Sequence, residues 1–211
     1  MFRDERDLAR WLVGSIRTCS AVKKVISGGS IPKRSFEDLL KTYFSTYAPT
    51  IMARPDIVVV TEDLGRVVDG WCLAALELKY FKKPSGKSLR KAYREVGQAL
   101  RYHLLGFDLA ILWHIFEENN DDALIESYSE LITEFIDKLK LPLIYFATKI
   151  NEVKGEFLVF KPAQLTKPSD TCYIISWMLN YCKEGRRNTL LPGDKEVLAR
   201  RKALRALLMI P

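Results

Sequence analysis

Long hydrophobic runs are missing from this chain of 211 residues. The longest, Leu109 to Phe116 and Leu141 to Ala147, are strand-sized. A helix needs roughly 20 apolar residues to cross a bilayer, so no membrane partner is expected. The opening residues, MFRDERDLAR, are charged and lack the apolar stretch of a signal peptide, from which a cytoplasmic location is expected. Cysteine is scarce and scattered, at Cys19, Cys72, Cys172 and Cys182, with no C-x-x-C and no histidine nearby. That spacing disfavours a zinc site or an iron–sulfur cluster. Buried thiols are the expected state, with disulfides as the alternative in organisms that keep intracellular bridges. A G-x-x-x-x-G-K-S/T phosphate loop, a G-x-S-x-G elbow and an RNP aromatic motif are all lacking, so no nucleotide cofactor, serine-hydrolase or RRM chemistry is expected. There is no internal repeat and no low-complexity tract.

What is present is an ordinary globular composition, 48% hydrophobic and 28% charged. The length suits one domain with added elements, large enough to fold without staples. Lys and Arg number 33 against 26 acids, a net charge of +7, which favours a polyanionic partner.

Apolar spacing sets out an α/β chain. Leu8, Trp11, Leu12 and Ile16 mark a helix over 4–17. SGGSIPKRS, from Ser27 to Ser35, reads as a loop, and Ser35 as the N-cap of a helix running to about Tyr47. Ile51 to Ala53 reads as short and extended. DIVVVT at 56–61 is a strand, Glu62 to Arg66 a turn, and Val67 to Tyr80 a long strand. A helix over 87–105 carries Leu89, Ala92, Tyr93, Val96, Leu100 and Leu104 on its apolar face and stops at Gly106. DLAILWHIF then reads as a strand buried on both faces. The helix at 121–140 is amphipathic through Leu124, Tyr128, Leu131, Phe135 and Leu139. Strands near 142–147 and 156–161 and helices near 171–182 and 194–208 complete the chain.

One constellation carries chemistry. Pro55-Asp56 opens a strand, Glu77-Leu78-Lys79 ends the next long strand 21 residues after Asp56, and Gln98 sits on the helix that follows. Residues i and i+2 of a strand face the same way, roughly 7 Å apart, so Glu77 and Lys79 project together while Leu78 points to the core. Carboxylates are hard-cation ligands, and a cation beside a lysine can neutralise a phosphate and activate water. Acid-x-Lys is a weak motif by itself. Its second copy, Glu152-Val153-Lys154, sits in a polar turn with no Pro-Asp a strand earlier.

In this order and context, the residues resemble the PD-(D/E)xK nuclease superfamily, which includes restriction enzymes, archaeal Holliday junction resolvases and small archaeal or viral nucleases. The resemblance spans about 35–116 and implies a restriction-endonuclease-like core, a mixed β-sheet flanked by helices. The helix at 4–17 and an elaboration over 120–211 are added to a single nuclease domain, 1–211. It implies a DNA endonuclease that uses Mg²⁺, with Mn²⁺ able to substitute. Asp56, Glu77 and the Leu78 carbonyl would hold the metal, and Lys79 would position or deprotonate water or stabilise developing charge. Gln98 would support the centre. An acid from the first helix often completes such sites; Glu37 is the first choice, with Glu5 and Asp38 as rivals. Resolvases of this type act on branched DNA as homodimers, and the helix at 121–140 or the C-terminal helices are candidates for the dimer interface.

Basic residues follow the motif: Lys82, Lys83, Lys87, Arg90, Lys91 and Arg94, and Arg101 shares a helical face with Arg94, Gln98 and Tyr102. They form a candidate phosphate-binding strip. Lys23, Lys24, Lys33, Arg34, Arg186, Arg187, Arg200 and Arg201 are available to extend it. The competing reading is a nucleic-acid-binding protein with this fold and no chemistry. A third is a nuclease directed at RNA. His103 and His114 read as structural.

Overall fold

The computed structural model describes residues 2–62, 69–86, 89, 95–165, 168–183 and 188–210. Six strands form one mixed sheet in chain order: β1 (Lys24–Ser27), β2 (Ile57–Glu62), β3 (Trp71–Phe81), β4 (Leu109–Glu117), β5 (Ile144–Asn151) and β6 (Glu156–Lys161). The pairs β1–β2, β2–β3 and β5–β6 are antiparallel, while β3–β4 and β4–β5 are parallel. Parallel neighbours require crossovers. One includes α4 (Val96–Leu100) and the other is α5 (Asp122–Lys138).

Alternation along the strands builds a core on each face. Leu73 and Ala75 of β3 join Ala110, Leu112 and Phe116 of β4 in one core. It is covered by α2 (Lys33–Tyr43), α4, α5 and α7 (Lys195–Leu207). Ala74, Leu76 and Leu78 face the other core with Ile111, Trp113 and Ile115. There α1 (Glu5–Arg17) packs beside α6 (Thr171–Lys183). Every residue of β4 is buried, as the unbroken apolar run predicts.

Several local expectations are corrected. Residues 24–27, taken as part of no element, form the edge strand β1, followed by a 3-10 turn over Gly28–Ser30. The helix α2 begins at Lys33, two residues before Ser35. Pro32, with φ −58°, turns the chain into it, and no side chain caps it. Ile51 ends a short helix, α3 (Ala48–Ile51), instead of starting a strand. On α5 the buried stripe is Ile125, Tyr128, Ile132 and Ile136, while Leu124, Leu131 and Leu139 are exposed. Two stripes with the same helical spacing compete there, and the isoleucine series is the one that meets the sheet. After Leu100 the helix tightens to a 3-10 turn over Arg101–Leu105. Three residues per turn replace 3.6, so Tyr102, His103 and Leu105 are buried and Leu104 is 40% exposed.

All four cysteines are paired, Cys19 with Cys172 and Cys72 with Cys182. The expectation of buried thiols is therefore overturned. The first bridge joins the segment after α1 to the start of α6, and the second joins β3 to the far end of α6. Among the described residues, no helix is long and apolar enough to cross a membrane.

Candidate active site

The site arises because β3 outruns β2. Ile57, the first residue of β2, pairs with Leu76, whereas β3 continues to Phe81 while still paired with β4. Backbone donors on the bare edge need partners, and two carboxylates supply them. The Leu78 N–H donates to Asp56 Oδ2 at 2.8 Å and the Tyr80 N–H to Glu5 Oε2 at 3.2 Å.

Asp56 is fixed through its own backbone as well. Its N–H donates to the Leu76 carbonyl at 3.0 Å, and its carbonyl accepts from Gly28 N–H at 2.7 Å. Gly28 passes so close to the Pro55–Asp56 corner that an added Cβ would lie 1.9 Å from the Pro55 carbonyl oxygen. Only a residue without a Cβ fits this approach.

Glu77 and Lys79 share the face covered by α4, as the strand period requires. Glu77 is 6% exposed. Its Oε1 accepts from Gln98 Nε2 at 2.8 Å and its Oε2 from the Tyr102 hydroxyl at 2.5 Å. Lys79 Nζ lies between Glu5 (3.2 Å) and Glu95 (3.1 Å). Four carboxylates thus surround one lysine, and desolvation is the largest influence on the protonation of two of them, Asp56 and Glu77. Burial, together with the charge of Asp56, pushes the Glu77 carboxyl up to about 8, although the Tyr102 hydroxyl favours its ionised form. Burial also raises Asp56, to about 6, against the opposing Leu78 N–H bond. Burial alone would lower the Lys79 ammonium, but Glu5 and Glu95 outweigh it and hold the group above its ordinary value. Burial and the Glu77 carboxylate drive the Tyr102 hydroxyl far upward, so it stays a donor.

Of the residues expected from sequence, Asp56, Glu77, Lys79 and Gln98 come together. Glu37 does not join them: it lies on α2 and pairs with Lys33 at 3.7 Å, a contact within the helix. Asp38 pairs within the same helix with Lys41. The first-helix acid at the site is Glu5. The i+4 spacing that puts Tyr102 on the helical face of Gln98 is legible in the sequence, and the structure brings its hydroxyl to Glu77; Glu95 has no such signal. The Glu152-Val153-Lys154 copy stands in the β5–β6 turn, with Val153 94% exposed.

Lys82 and Lys83 directly follow the end of β3, near the site. Lys87, Arg90, Lys91 and Arg94 lie outside the described residues, as do Arg186 and Arg187. Arg101 donates to the Ile51 carbonyl. Lys23 pairs with Glu62, and Lys24 caps the C-terminal end of α7 through the Leu208 and Met209 carbonyls. Arg200 and Arg201 are not part of a phosphate track. Arg201 is 1% exposed and binds Asp69 and Asp108, while Arg200 pairs with Glu196 and lies over the Phe44 ring. Both histidines are buried, and burial lowers His114 to about 3, which keeps it neutral.

An open cleft of about 510 Å³ adjoins the carboxylates. Glu5 and Asp56 form part of its wall, together with Arg6, Arg10, Arg54 and the Gly28–Gly29 backbone.

No protein-family model matches this chain. No curated protein or solved structure matches it significantly either. Among the described residues, no three His, Cys, Asp or Glu side chains are gathered into a ready-made metal cage. The donors on offer are Asp56, Glu77 and backbone oxygen. Both carboxylates are desolvated, the charge of Asp56 raises Glu77 further and those of Glu5 and Glu95 raise Asp56, a condition that a divalent cation relieves.

Proposed function

We propose that the chain is a metal-dependent endonuclease with a restriction-endonuclease-like core, hydrolysing phosphodiester bonds in DNA. The observation that carries this reading is the Asp56–Glu77 pair beside Lys79 on the uncovered edge of β3. A strand residue directs its N–H and C=O to one edge. The Leu78 carbonyl therefore faces the edge where its N–H meets Asp56, and joins Asp56 and Glu77 as an oxygen donor. Such a hard-oxygen set suits Mg²⁺ or Mn²⁺, which when bound supplies charge neutralisation and an acidified water.

The chain's own residues divide the remaining work. Asp56, locked by Gly28, Leu76 and Leu78, sets the position of the donors. Gln98 and Tyr102 orient Glu77. Lys79, held protonated by Glu5 and Glu95, acts as a fixed positive charge for the developing phosphorane oxygens instead of as a base. Electrostatic preorganisation of this kind is commonly worth about 10² to 10³ in rate per group.

The branched-DNA preference and the homodimer rest on the family resemblance; the first belongs to the same test, and sedimentation showing a strict monomer at micromolar protein would count against the second. End-labelled single strand, duplex, flap and four-way junction are incubated with Mg²⁺, Mn²⁺ or EDTA, alongside the Glu77→Gln and Lys79→Ala proteins. Metal-dependent cutting that both substitutions abolish is the expected result. Tight nucleic-acid binding without cutting under any of these conditions would support the non-catalytic alternative. Preferential cutting of RNA would redirect the substrate.

A further inference from the structure

Of the basic strip foreseen after β3, Lys82 and Lys83 fall within the described residues. A further basic surface is the cleft between α1 and the Pro55–Asp56 corner. Arg6 and Arg10 are exposed on α1, four residues apart and therefore about 6 Å along the helix axis. Arg54 enters from the opposite wall, its Nη1 donating to the Ile31 carbonyl at 2.5 Å. Arg10 is partly engaged by Asp7 at 3.3 Å, a surface pair that a phosphate can displace. The same cleft reaches Glu5 and Asp56, so a ligand lying in it runs straight to the carboxylates.

We propose that this cleft seats one unpaired strand of DNA next to the bond to be cut, with Arg6, Arg10 and Arg54 on its phosphates. The inference rests on the nuclease reading and narrows its substrate to single strands or to DNA whose strands are splayed at the cut. A volume of about 510 Å³ is that of a small-ligand site. It matches a nucleotide or two of one strand. Among the described residues the lining has no aromatic ring to stack a base, and its apolar side chains are Ala9, Ala53 and Pro55. Recognition is thus through phosphate and sugar, without base readout. The acids at the inner end, Glu5 and Asp56, repel phosphate, and a divalent ion held by Asp56 would offset that repulsion and strengthen binding.

The test is fluorescence anisotropy of labelled oligothymidine against a salt series in Ca²⁺ and in EDTA, with a duplex of equal length as competitor. The full-length protein is compared with Arg6→Ala/Arg10→Ala, the triple variant adding Arg54→Ala, and Lys82→Ala/Lys83→Ala. Each phosphate contact on a single strand contributes about 0.7 to the log–log salt slope. The triple variant should therefore lose about 2 from the slope, and the double variant about 1.4, with binding at least tenfold weaker at low salt. The double variant removes only exposed side chains and guards against a folding defect at Arg54. Binding in EDTA should be weaker than in Ca²⁺. Unchanged slopes in both arginine variants, or duplex competing as well as single strand, would overturn the cleft assignment. If metal-dependent cutting persists in that case, the nuclease reading survives it. A wild-type protein that binds no nucleic acid would remove both.

Discussion

Gly28→Ala is the sharpest single perturbation, because its neighbour supplies a matched control. A Cβ on Gly28 would sit 1.9 Å from the Pro55 carbonyl oxygen, whereas real contacts of this kind do not fall under 3.0 Å. The Pro55–Asp56 corner must therefore retreat by about 1 Å, and the opposing group is backbone that cannot rotate away. Overpacking of a tight site costs about 1–3 kcal/mol. The shift also carries Asp56 off the Leu78 N–H and the Gly28 N–H off the Asp56 carbonyl. A misplacement of about 1 Å at a reacting centre can cost about 10²-fold in rate. At Gly29 an added Cβ would meet only Ser27 Oγ, at 3.6 Å, an ordinary contact. Urea unfolding, calorimetric titration with Mn²⁺ and the cleavage assay are run on both variants. Gly28→Ala should lose stability, metal affinity and cutting together, and Gly29→Ala should keep its stability and metal affinity. Equal behaviour of the two proteins would refute the claim that this close approach positions Asp56.

Three other predictions address other parts of the molecule. Glu77 and Asp56 both have folded pKa values raised above their unfolded ones, so the folded state holds extra protons between about pH 4.5 and 8. Their contribution to the stability of the metal-free protein is fully present below that window and falls as pH rises through it. Glu77→Gln should be more stable than wild type at pH 8 by about 3 kcal/mol, counting only two units of the shift, and little different at pH 5, as read by thermal and urea unfolding. Arg201→Ala leaves the buried Asp108 and the partly buried Asp69 without that partner and should cost about 3–5 kcal/mol in urea unfolding. Replacing Cys19 and Cys172 together by Ser should cost about 2–5 kcal/mol, and a reductant should destabilise wild type more than this double variant, since wild type has both bridges to open and the variant only Cys72–Cys182.

The parts legible from sequence are those governed by local period. Strand β4 announces itself as an unbroken apolar run, and Glu77 and Lys79 share a face because strand side chains alternate. The turns and helices after residue 140 are similarly local. Glu5 was weighed only as a rival to Glu37, because nothing near either residue reports that α1 docks beside the bare edge of β3. The mate of Cys19 is 153 residues away, a separation that spacing cannot predict. On α5 the spacing rule was satisfied twice, by leucines and by isoleucines, and only packing on the sheet chose between them. β1 is four residues long beside a Gly-Gly-Ser turn, too short for alternation to register.

The two bridges also interlock along the chain. Cys72 falls inside the span closed by Cys19 and Cys172, while Cys182 falls beyond it. A single peptide-bond break anywhere between Cys19 and Cys182 therefore leaves both pieces tied by at least one sulfur link. The molecule is covalently redundant over most of its length. A protease that nicks the segment between β2 and β3, or the approach to α4, would produce two bands only after reduction, and the nicked protein would keep α1, β3 and α6 joined around the carboxylates.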